Sequence, residues 1–162
     1  MIVYPQGVGD TLAMAEWCAE RLGEPIEIFG FNRLGHPMFQ TIGFSRENKL
    51  ACVVVAYHAT NDSIVCSFAA DNPRWASKHN IAAWGSWIFG QLGMKHTSAV
   101  VIKSNKRSRK FVEGVGYRVE GKIRKAANGE DMIIYGMLKE EHEEWLRKAF
   151  IGKERRNTSR SG

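Results

Sequence analysis

Apolar and polar positions recur with two different periods along the first half of this chain. In three segments, Gln40–Phe44, Leu50–His58 and Ser63–Ala70, apolar residues have the density and spacing of β-strands, and polar turns separate them. From Asp10 to residue 22 the apolar positions instead recur about every 3.6 residues, and Gly23 suits a helix end. The first half therefore predicts a helix followed by a β-meander. A short strand at Ile26–Phe29 and a loop over residues 31–38 are expected between them.

The second half predicts alternating helices and strands. A very apolar helix should run from about His79 to Leu92, and because its apolar residues cover more than one face, most of it should be buried. Gly85 lies inside this helix, where Gly costs about 1 kcal/mol relative to Ala, so a packing reason for it is expected. A strand over Thr97–Ile102 and a helix over Lys106–Val115 follow.

The chain should close with a β-hairpin and a helix. Two strands, one from Tyr117 and one over Met132–Leu138, are joined by Asn128-Gly129, which is a strong turn signal. A helix over Lys139–Phe150 follows, and the remaining residues are basic, rich in Ser and without apolar periodicity. We expect one folded domain over residues 1–151 and a basic disordered tail over residues 152–162. The element order favours an α/β (α+β) fold with a mixed sheet.

Composition narrows the classes of function. The 162 residues contain no apolar run approaching the roughly 20 residues of a membrane span, and the N-terminus has no secretion signal, so a cytoplasmic protein without membrane contact is expected. The formal net charge is +6, with basic clusters over Lys103–Lys110 and Arg118–Lys125. Such clusters attract anions, either nucleic acid or a phosphorylated cofactor. The Cys and His residues lack the spacing of a zinc site, so no metal is expected.

The clearest functional signal lies in VVIKSNKRSRKFVEGVGY, residues 100–117. Asn105, Ser108 and Gly116-Tyr117 stand there at the spacing N-x2-S-x7-G-[FY]. This pattern resembles the second half of the GNAT superfamily of acyl-CoA-dependent N-acyltransferases. GYRVEGKIRKA and DMIIYGMLKEE further resemble the branch that acetylates ribosomal-protein N-termini, and the N-P-R-W loop resembles small acetyltransferase-like proteins of bacteriophages. The resemblance implies a mixed central sheet with splayed fourth and fifth strands, flanked by helices.

The same resemblance implies a binding site for acetyl-CoA. Backbone groups of the fourth strand would bind the pantetheine arm, the following loop and helix start would hold the pyrophosphate, and Asn105 would also reach the pantetheine. The implied residues are Phe68, Ala69, Ala70, Asp71, Arg74, Ala76, Ser77, Lys78, His79, Asn105 and Ser108. In one register Ala76 and Lys78 replace the glycines of the family's phosphate loop, and in the other Ser77 and His79 replace them.

Several of these residues also have a structural interpretation. RWASKHN can be an ordinary basic helix cap, and Asn105 can simply begin a helix. The position at which many GNAT enzymes carry a catalytic Tyr is Val112 here, and Tyr117 is expected in the core. No side chain is assigned as catalytic; His58, predicted on the third strand, is a weak candidate base and otherwise structural.

Three functions follow from this reading, in decreasing order of preference. The first is an acetyl-CoA-dependent N-acetyltransferase that acts on an amine of an unidentified protein or small molecule. The second is a catalytically inactive module of the same fold that binds a macromolecular partner. The third is a nucleic-acid-binding protein, which is disfavoured because aromatic residues are not interleaved with the basic clusters.

Overall fold

The computed structural model describes residues 1–158, and from residue 152 onward only the backbone. The chain forms two compact units that divide between Trp84 and Gly85. In the described residues, no helix combines the length and the apolar character needed to cross a membrane.

The first unit contains a four-stranded antiparallel sheet in the order β1-β2-β3-β4. Its strands are β1 (Ile2–Val3), β2 (Phe39–Arg46), β3 (Lys49–Tyr57) and β4 (Ser63–Ala70). The β2–β3 turn places Glu47 and Asn48 at φ 52° and 61°, which a two-residue hairpin turn of the primed type requires. The predicted meander is confirmed, and β1 is an addition that its two residues were too short to signal.

One helix covers this sheet. Helix α1 (Val8–Leu22) begins earlier than predicted, after Gly7, and the carboxylate of Asp10 accepts a hydrogen bond from the Gln6 amide at 2.8 Å. Its predicted end is confirmed, because Gly23 adopts the left-handed conformation at φ 69°. The helix and sheet share one apolar cluster, formed by Met14, Ala15, Cys18, Ala19, Phe29, Phe39, Val53, Val55 and Ala69.

The prediction of a strand at Ile26–Phe29 is wrong. These residues form a 3₁₀ helix, in which the Gly30 amide donates to the Glu27 carbonyl at 3.1 Å. Phe29 is fully buried and packs edge-on against Tyr57, with ring centroids 5.0 Å apart. A segment of four residues is too short to show a period, so its sequence does not distinguish a strand from a 3₁₀ helix. The predicted loop that follows is confirmed, with an isolated bridge between Phe31 and Pro37.

The predicted apolar helix forms, but with mixed winding. A 3₁₀ helix at Pro73–Trp75 precedes α2 (Lys78–Gly85), and a π-helix over Ser86–Gln91 continues it. At its end the Leu92 amide donates to the Trp87 carbonyl, five residues back, at 2.9 Å. The helix is mostly buried, as predicted; its buried large side chains are Ile81, Trp84, Trp87, Ile88 and Phe89.

The second unit contains a three-stranded antiparallel sheet in the order β5-β7-β6. Its strands are β5 (His96–Ile102), β6 (Arg118–Ala127) and β7 (Glu130–Leu138), and helix α3 (Lys106–Gly114) connects the first two. The predicted hairpin turn is confirmed, since Asn128 and Gly129 have φ of 49° and 79°.

The last helix, α4, spans Lys139–Thr158 and is longer than predicted. The expected helix end at Phe150 is wrong, because the sequence KERR at residues 153–156 consists of good helix formers that offset the cost of Gly152. The backbone is therefore helical where the predicted disordered tail begins. Residues 159–162 lie outside the described part of the chain, so the division into a domain at 1–151 and a tail at 152–162 stays a prediction.

The packing reason expected for Gly85 is a buried histidine. A Cβ atom built on Gly85 would overlap the imidazole of His142, which comes from α4. The imidazole is 3% exposed and lies parallel to the Trp145 ring, with an angle of 8° between the planes. Burial lowers the pKa of His142 to about 4, so this side chain is neutral at physiological pH.

Candidate functional site

The end of β4 is the first part of the predicted cofactor site. The Asp71 amide donates to the Ala51 carbonyl of the neighbouring strand β3 at 2.9 Å. Because backbone groups alternate along a strand, those of Ala69 also face β3, whereas those of Phe68 and Ala70 face the opposite edge of β4. Of the four backbone positions expected to bind pantetheine, Phe68 and Ala70 have the suitable orientation, and Ala69 and Asp71 do not.

A charged side-chain network fixes the position of Asp71. Its carboxylate accepts two hydrogen bonds from Arg21 of α1, at 2.8 Å from Nε and 2.9 Å from Nη2. The Arg21 guanidinium in turn lies 3.4 Å above the centre of the Trp17 ring. The hydrogen bonds from Arg21 are the main reason that the pKa of Asp71 is lowered. Both partners are partly exposed, so the pair contributes at most about 1 kcal/mol, and it holds the end of β4 against α1.

The loop after β4 uses its own amides internally. The Asn72 side chain accepts a hydrogen bond from the Arg74 amide at 2.9 Å. The Ala76 amide donates to the Pro73 carbonyl at 3.3 Å, and the Ser77 amide donates to the Trp75 carbonyl at 2.8 Å. Three amides of the predicted pyrophosphate cradle therefore already have partners within the loop.

Trp75 anchors this loop in the first unit. Its ring is 3% exposed and lies 5.0 Å from the Phe44 ring and 6.2 Å from the Phe68 ring, centroid to centroid. Directly after it, the Ser77 hydroxyl accepts a hydrogen bond from the Asn80 amide at 3.2 Å and caps α2. Ser77 of RWASKHN therefore caps α2, and the phosphate-binding role of this segment stays a prediction.

The charged side chains around that cap differ in exposure. Arg74 and His79 are exposed, and Lys78 is partly exposed. Positive charge consequently accompanies the helix N-terminus, where the helix dipole also favours an anion. In either predicted register one glycine position of the family's loop holds a basic side chain, Lys78 or His79, and the other holds Ala76 or Ser77. That alignment stays a prediction.

Asn105 begins α3 in the second unit. Its side-chain oxygen accepts a hydrogen bond from the Ser108 amide at 3.2 Å, which is the geometry of an N-cap. The residue is exposed, and the cap uses the oxygen and not the amide nitrogen, so the NH₂ group can donate to a ligand. The capping role and the predicted cofactor role of Asn105 are compatible. Ser108 is half-buried in the first turn of the same helix.

A polar network on α3 was missed by the sequence interpretation. Arg109 Nε donates to the Tyr135 hydroxyl at 3.1 Å, and that hydroxyl donates to Glu113 at 2.8 Å. Burial is the main reason that the pKa of the Tyr135 hydroxyl is raised, so it keeps its proton. Arg109, which belongs to the basic cluster over Lys103–Lys110, therefore has a structural role. The i,i+4 spacing of Arg109 and Glu113 was the available signal.

The candidate proton-transfer residues lie as follows. Val112 is buried, and so is Tyr117, whose hydroxyl lies 3.5 Å from the Thr97 hydroxyl; the expectation that Tyr117 is a core residue is confirmed. His58 is not on a strand as predicted. It follows β3 with a left-handed φ of 51° and is exposed, with its ring 4.7 Å from the Tyr57 ring.

A hydrogen bond between a tyrosine and a serine on neighbouring strands was also missed by the sequence interpretation. The hydroxyls of Tyr57 on β3 and Ser67 on β4 lie 3.0 Å apart on one face of the first-unit sheet. Burial is the main reason that the pKa of Tyr57 is raised, so its hydroxyl can donate a hydrogen bond at neutral pH. Cross-strand pairing of Val55 with Ser67 and of Tyr57 with Val65 makes Tyr57 and Ser67 diagonal neighbours, which a sequence alone does not reveal.

Comparison with known proteins identifies the fold. No protein-family model matches the chain, and no curated protein matches it. Among solved structures it is similar to mutant forms of the spermidine/spermine N-acetyltransferase SpeG from Vibrio cholerae, with a TM-score of 0.64 and 13% identity over 89% of this chain and 98% of that one. It is also similar to the ribosomal-protein-S5-alanine acetyltransferase from Vibrio fischeri, with a TM-score of 0.59 and 13% identity over 85% of this chain and 92% of that one.

The chain has the fold of the GNAT acetyltransferases. These neighbours confirm the predicted mixed α/β architecture with flanking helices. Because their sequence identity to this chain is low, the similarity shows the fold alone. The splay of the fourth and fifth strands, the cofactor-binding residues and the likeness to bacteriophage proteins stay predictions.

Proposed function

We propose that this protein is an acetyl-CoA-dependent N-acetyltransferase that moves an acetyl group to an amine of a protein or small molecule. The observation that carries the proposal is the geometry of Asn105, whose oxygen caps α3 while its NH₂ group is left to donate. In the resemblance that the sequence shows, this amide binds the pantetheine arm. The fold is that of acetyltransferases, which supports the same conclusion.

The residues present fit acetyl-CoA, but they would bind its phosphates through charged side chains and not through the amides of the loop. Ala70 offers backbone groups on the edge of β4 away from β3, in the orientation that pantetheine amides need. Arg74, Lys78 and His79 supply positive charge around the N-terminus of α2, and charged side chains bind phosphate strongly. These side chains would replace the amides that the loop bonds to itself. When bound, acetyl-CoA supplies a thioester that an amine can attack directly.

Proton handling in this chain would depend on solvent more than on a dedicated acid. Val112 has no proton to give, and Tyr117 is buried in the core. Positioning of the amine and of the carbonyl provides a large part of the acceleration in such direct attacks. The ammonium proton can leave to water, with the exposed His58 as the candidate base.

Thermal unfolding with and without acetyl-CoA tests the proposal. At a hundredfold excess over the dissociation constant, a bound ligand stabilises a protein by about 2.7 kcal/mol. For a chain of this size that corresponds to a rise in melting temperature of roughly 5–10 °C. No rise at millimolar acetyl-CoA would contradict the proposal.

Two Asn→Asp variants make the test specific. In Asn105→Asp the new carboxylate still caps α3, because Asp and Asn are equally good N-caps, but the NH₂ donor is lost. The ligand-induced rise should disappear, and the melting temperature without ligand should change little. Asn32→Asp is the matched control, because the side-chain oxygen of Asn32 likewise accepts hydrogen bonds, from the Leu34 and His36 amides, and the rise should persist there.

A second function is favoured by one observation. The amides of Arg74, Ala76 and Ser77 are already bonded within the loop, and the buried Trp75 holds that loop in place. If these contacts do not exchange for a phosphate, the chain is a catalytically inactive module of this fold that binds a macromolecular partner. The melting experiment separates the two functions: a rise in melting temperature with acetyl-CoA favours the acetyltransferase, and no rise favours the inactive module. Nucleic-acid binding stays a less favoured prediction.

A further inference from the structure

One face of β4 is closed by apolar side chains. The Cys66 side chain on this face is 2% exposed. The Phe68 ring lies on the same face, 6.2 Å from the Trp75 ring and 5.5 Å from the Trp84 ring, centroid to centroid. Side chains alternate between the two faces of a strand, so Ser67 lies on the opposite face. A ligand that approaches the middle of β4 would therefore meet the face of Ser67.

The face of Ser67 is covered over part of its length. At the end of β4, Ala69 belongs to the apolar cluster that helix α1 shares with the sheet. Val65 and Ser67 lie farther from that end and are partly exposed. Tyr57 of β3, which pairs with Val65 and packs on the buried Phe29, is also partly exposed. The surface formed by Tyr57, Val65 and Ser67 is apolar except for two hydroxyl groups, which we call the hydroxyl pair.

The hydroxyl pair is ordered by its own hydrogen bond. The oxygens of Tyr57 and Ser67 lie 3.0 Å apart, and either can be the donor. A hydroxyl group has one hydrogen and two lone pairs, so both oxygens keep a lone pair for a further donor. Burial is the main reason that the pKa of Tyr57 is raised, and the negative charge of Glu24 contributes to it. That charge also favours a cationic ligand over an anion.

We propose that the hydroxyl pair binds the amine that accepts the acetyl group, and that this acceptor is a primary amine on an apolar chain. The inference rests on the proposed function, because it needs acetyl-CoA beside β4. Ser67 directly precedes Phe68, whose backbone groups have the orientation that pantetheine needs. An amine on the hydroxyl pair would therefore lie beside the strand segment that the cofactor would follow. Val65 and the Tyr57 ring would contact its apolar chain.

The number of acceptor atoms in the hydroxyl pair favours a primary amine. An ammonium group that gives one proton to water becomes a neutral amine with two N–H groups and one lone pair. Its two N–H groups match the two hydroxyl oxygens, and its lone pair stays available for attack. The attack forms the nitrogen–carbon bond as the carbon–sulfur bond breaks, and the second proton that nitrogen loses passes to the released thiolate. A secondary amine has one N–H group and would leave one hydroxyl oxygen without its donor.

Nuclear magnetic resonance of the full chain with isotope-labelled tyrosine rings tests this binding without turnover. The chain has four tyrosines, and the Tyr57 signal is the one that Tyr57→Phe removes. n-Hexylamine is titrated in the presence of excess coenzyme A, which has no acetyl group to transfer, and it should shift the Tyr57 signal saturably. Hexyltrimethylammonium has the same charge and chain but no N–H group, so it should bind about tenfold more weakly. Equal binding of the two compounds, or no saturable shift of the Tyr57 signal, would overturn the proposal.

Two substitutions of Ser67 and one control locate the site. Ser67→Ala removes one acceptor oxygen and should weaken n-hexylamine binding about tenfold, whereas Ser67→Thr keeps the hydroxyl and should retain the affinity of the wild type. Ser45→Ala is the matched control, because Ser45 is a partly exposed serine of β2 that pairs with Leu50, at the end of the sheet away from Tyr57. Its affinity for n-hexylamine should equal that of the wild type. An unchanged affinity in Ser67→Ala, or an equal loss in Ser45→Ala, would overturn the assignment.

The melting experiment with acetyl-CoA separates failure of this inference from failure of the proposed function. Ser67→Ala leaves the backbone of Phe68 and Ala70 in place, so its melting temperature should still rise with acetyl-CoA while its affinity for n-hexylamine falls. A rise in the wild type without a shift of the Tyr57 signal would overturn the acceptor site and leave the proposed function standing. A shift of the Tyr57 signal without any rise would overturn both the proposed function and the role of the hydroxyl pair as an acceptor site.

Discussion

The contact between Gly85 and His142 predicts an unusual mutational result. Ala is about 1 kcal/mol better than Gly inside a helix, so Gly85→Ala should stabilise α2 if nothing else changes. The added methyl group would, however, overlap Nε2, Cε1 and Cδ2 of His142. The imidazole cannot turn away easily, because it lies flat on Trp145 and 5.5 Å from the Phe89 ring.

The net effect can be estimated from the two opposing terms. Forcing extra atoms into a packed core costs about 1–3 kcal/mol, and a direct overlap with a buried ring lies at the upper end of that range. After subtracting about 1 kcal/mol for helix propensity, we expect Gly85→Ala to lower the free energy of unfolding by about 2 kcal/mol. Urea unfolding followed by circular dichroism measures this quantity.

A double-mutant cycle with His142→Ala isolates the overlap. Removing the imidazole leaves room for the methyl group, so in that background Gly85→Ala should stabilise the protein by up to about 1 kcal/mol. The same substitution would therefore change sign, with a coupling energy of about 3 kcal/mol. The control is Gly114→Ala at the end of α3, where no atom lies within 4 Å of the built Cβ, and no such dependence on His142 is expected.

Two results would refute this reasoning. Gly85→Ala could prove as stable as the wild type or more so, in which case the imidazole moves without cost. Alternatively, the substitution could have the same effect with and without His142. The cycle would then close at zero coupling, and the packing explanation for Gly85 would be wrong.

Two other predictions concern stability. Since the pKa of His142 is lowered to about 4 in the folded state, against about 6.5 unfolded, only the unfolded state takes up this proton between those values, and stability should fall by about 3 kcal/mol as pH falls across this window. Urea titrations at a series of pH values measure the loss, and an equal loss in His142→Ala would contradict its assignment. Trp75→Ala should lower the free energy of unfolding by about 3–5 kcal/mol, because it leaves a cavity where the buried ring packs against Phe44 and anchors the loop. A decrease of less than 1 kcal/mol in urea unfolding would show that other contacts hold the loop.

The parts of the fold that the sequence predicted well depend on local conformation. Asn128-Gly129 and Gly23 adopt positive φ, and the residue types that tolerate this are few, so the turn and the helix end could be assigned from sequence. The meander was predictable because its apolar runs are long enough to show a pattern. Ile26–Phe29 was not, since four residues show no period and Phe29 packs against Tyr57, a distant residue whose position the sequence does not give.

The candidate site shows the same division. Asn105 was singled out by the family motif that it resembles, and its N-cap role in α3 was open as an alternative because a cap is a local arrangement. The internal bonding of the loop amides was not foreseen, because it depends on where Trp75 packs. The π-helix over Ser86–Gln91 was also not predicted, because no residue pattern in the sequence distinguishes it from an α-helix.

That π-helix has a consequence for how the chain tolerates changes of length. A π-helix closes its hydrogen bonds over five residues and an α-helix over four, so Ser86–Gln91 holds one residue more than an α-helix would. Deleting one residue there can restore an α-helix and leave Gly85 against the His142 imidazole. Inserting one residue would instead turn Gly85 by about 100° relative to the helix end and bring a side chain to the place where only a hydrogen fits now. The segment should therefore accept a one-residue deletion more readily than a one-residue insertion.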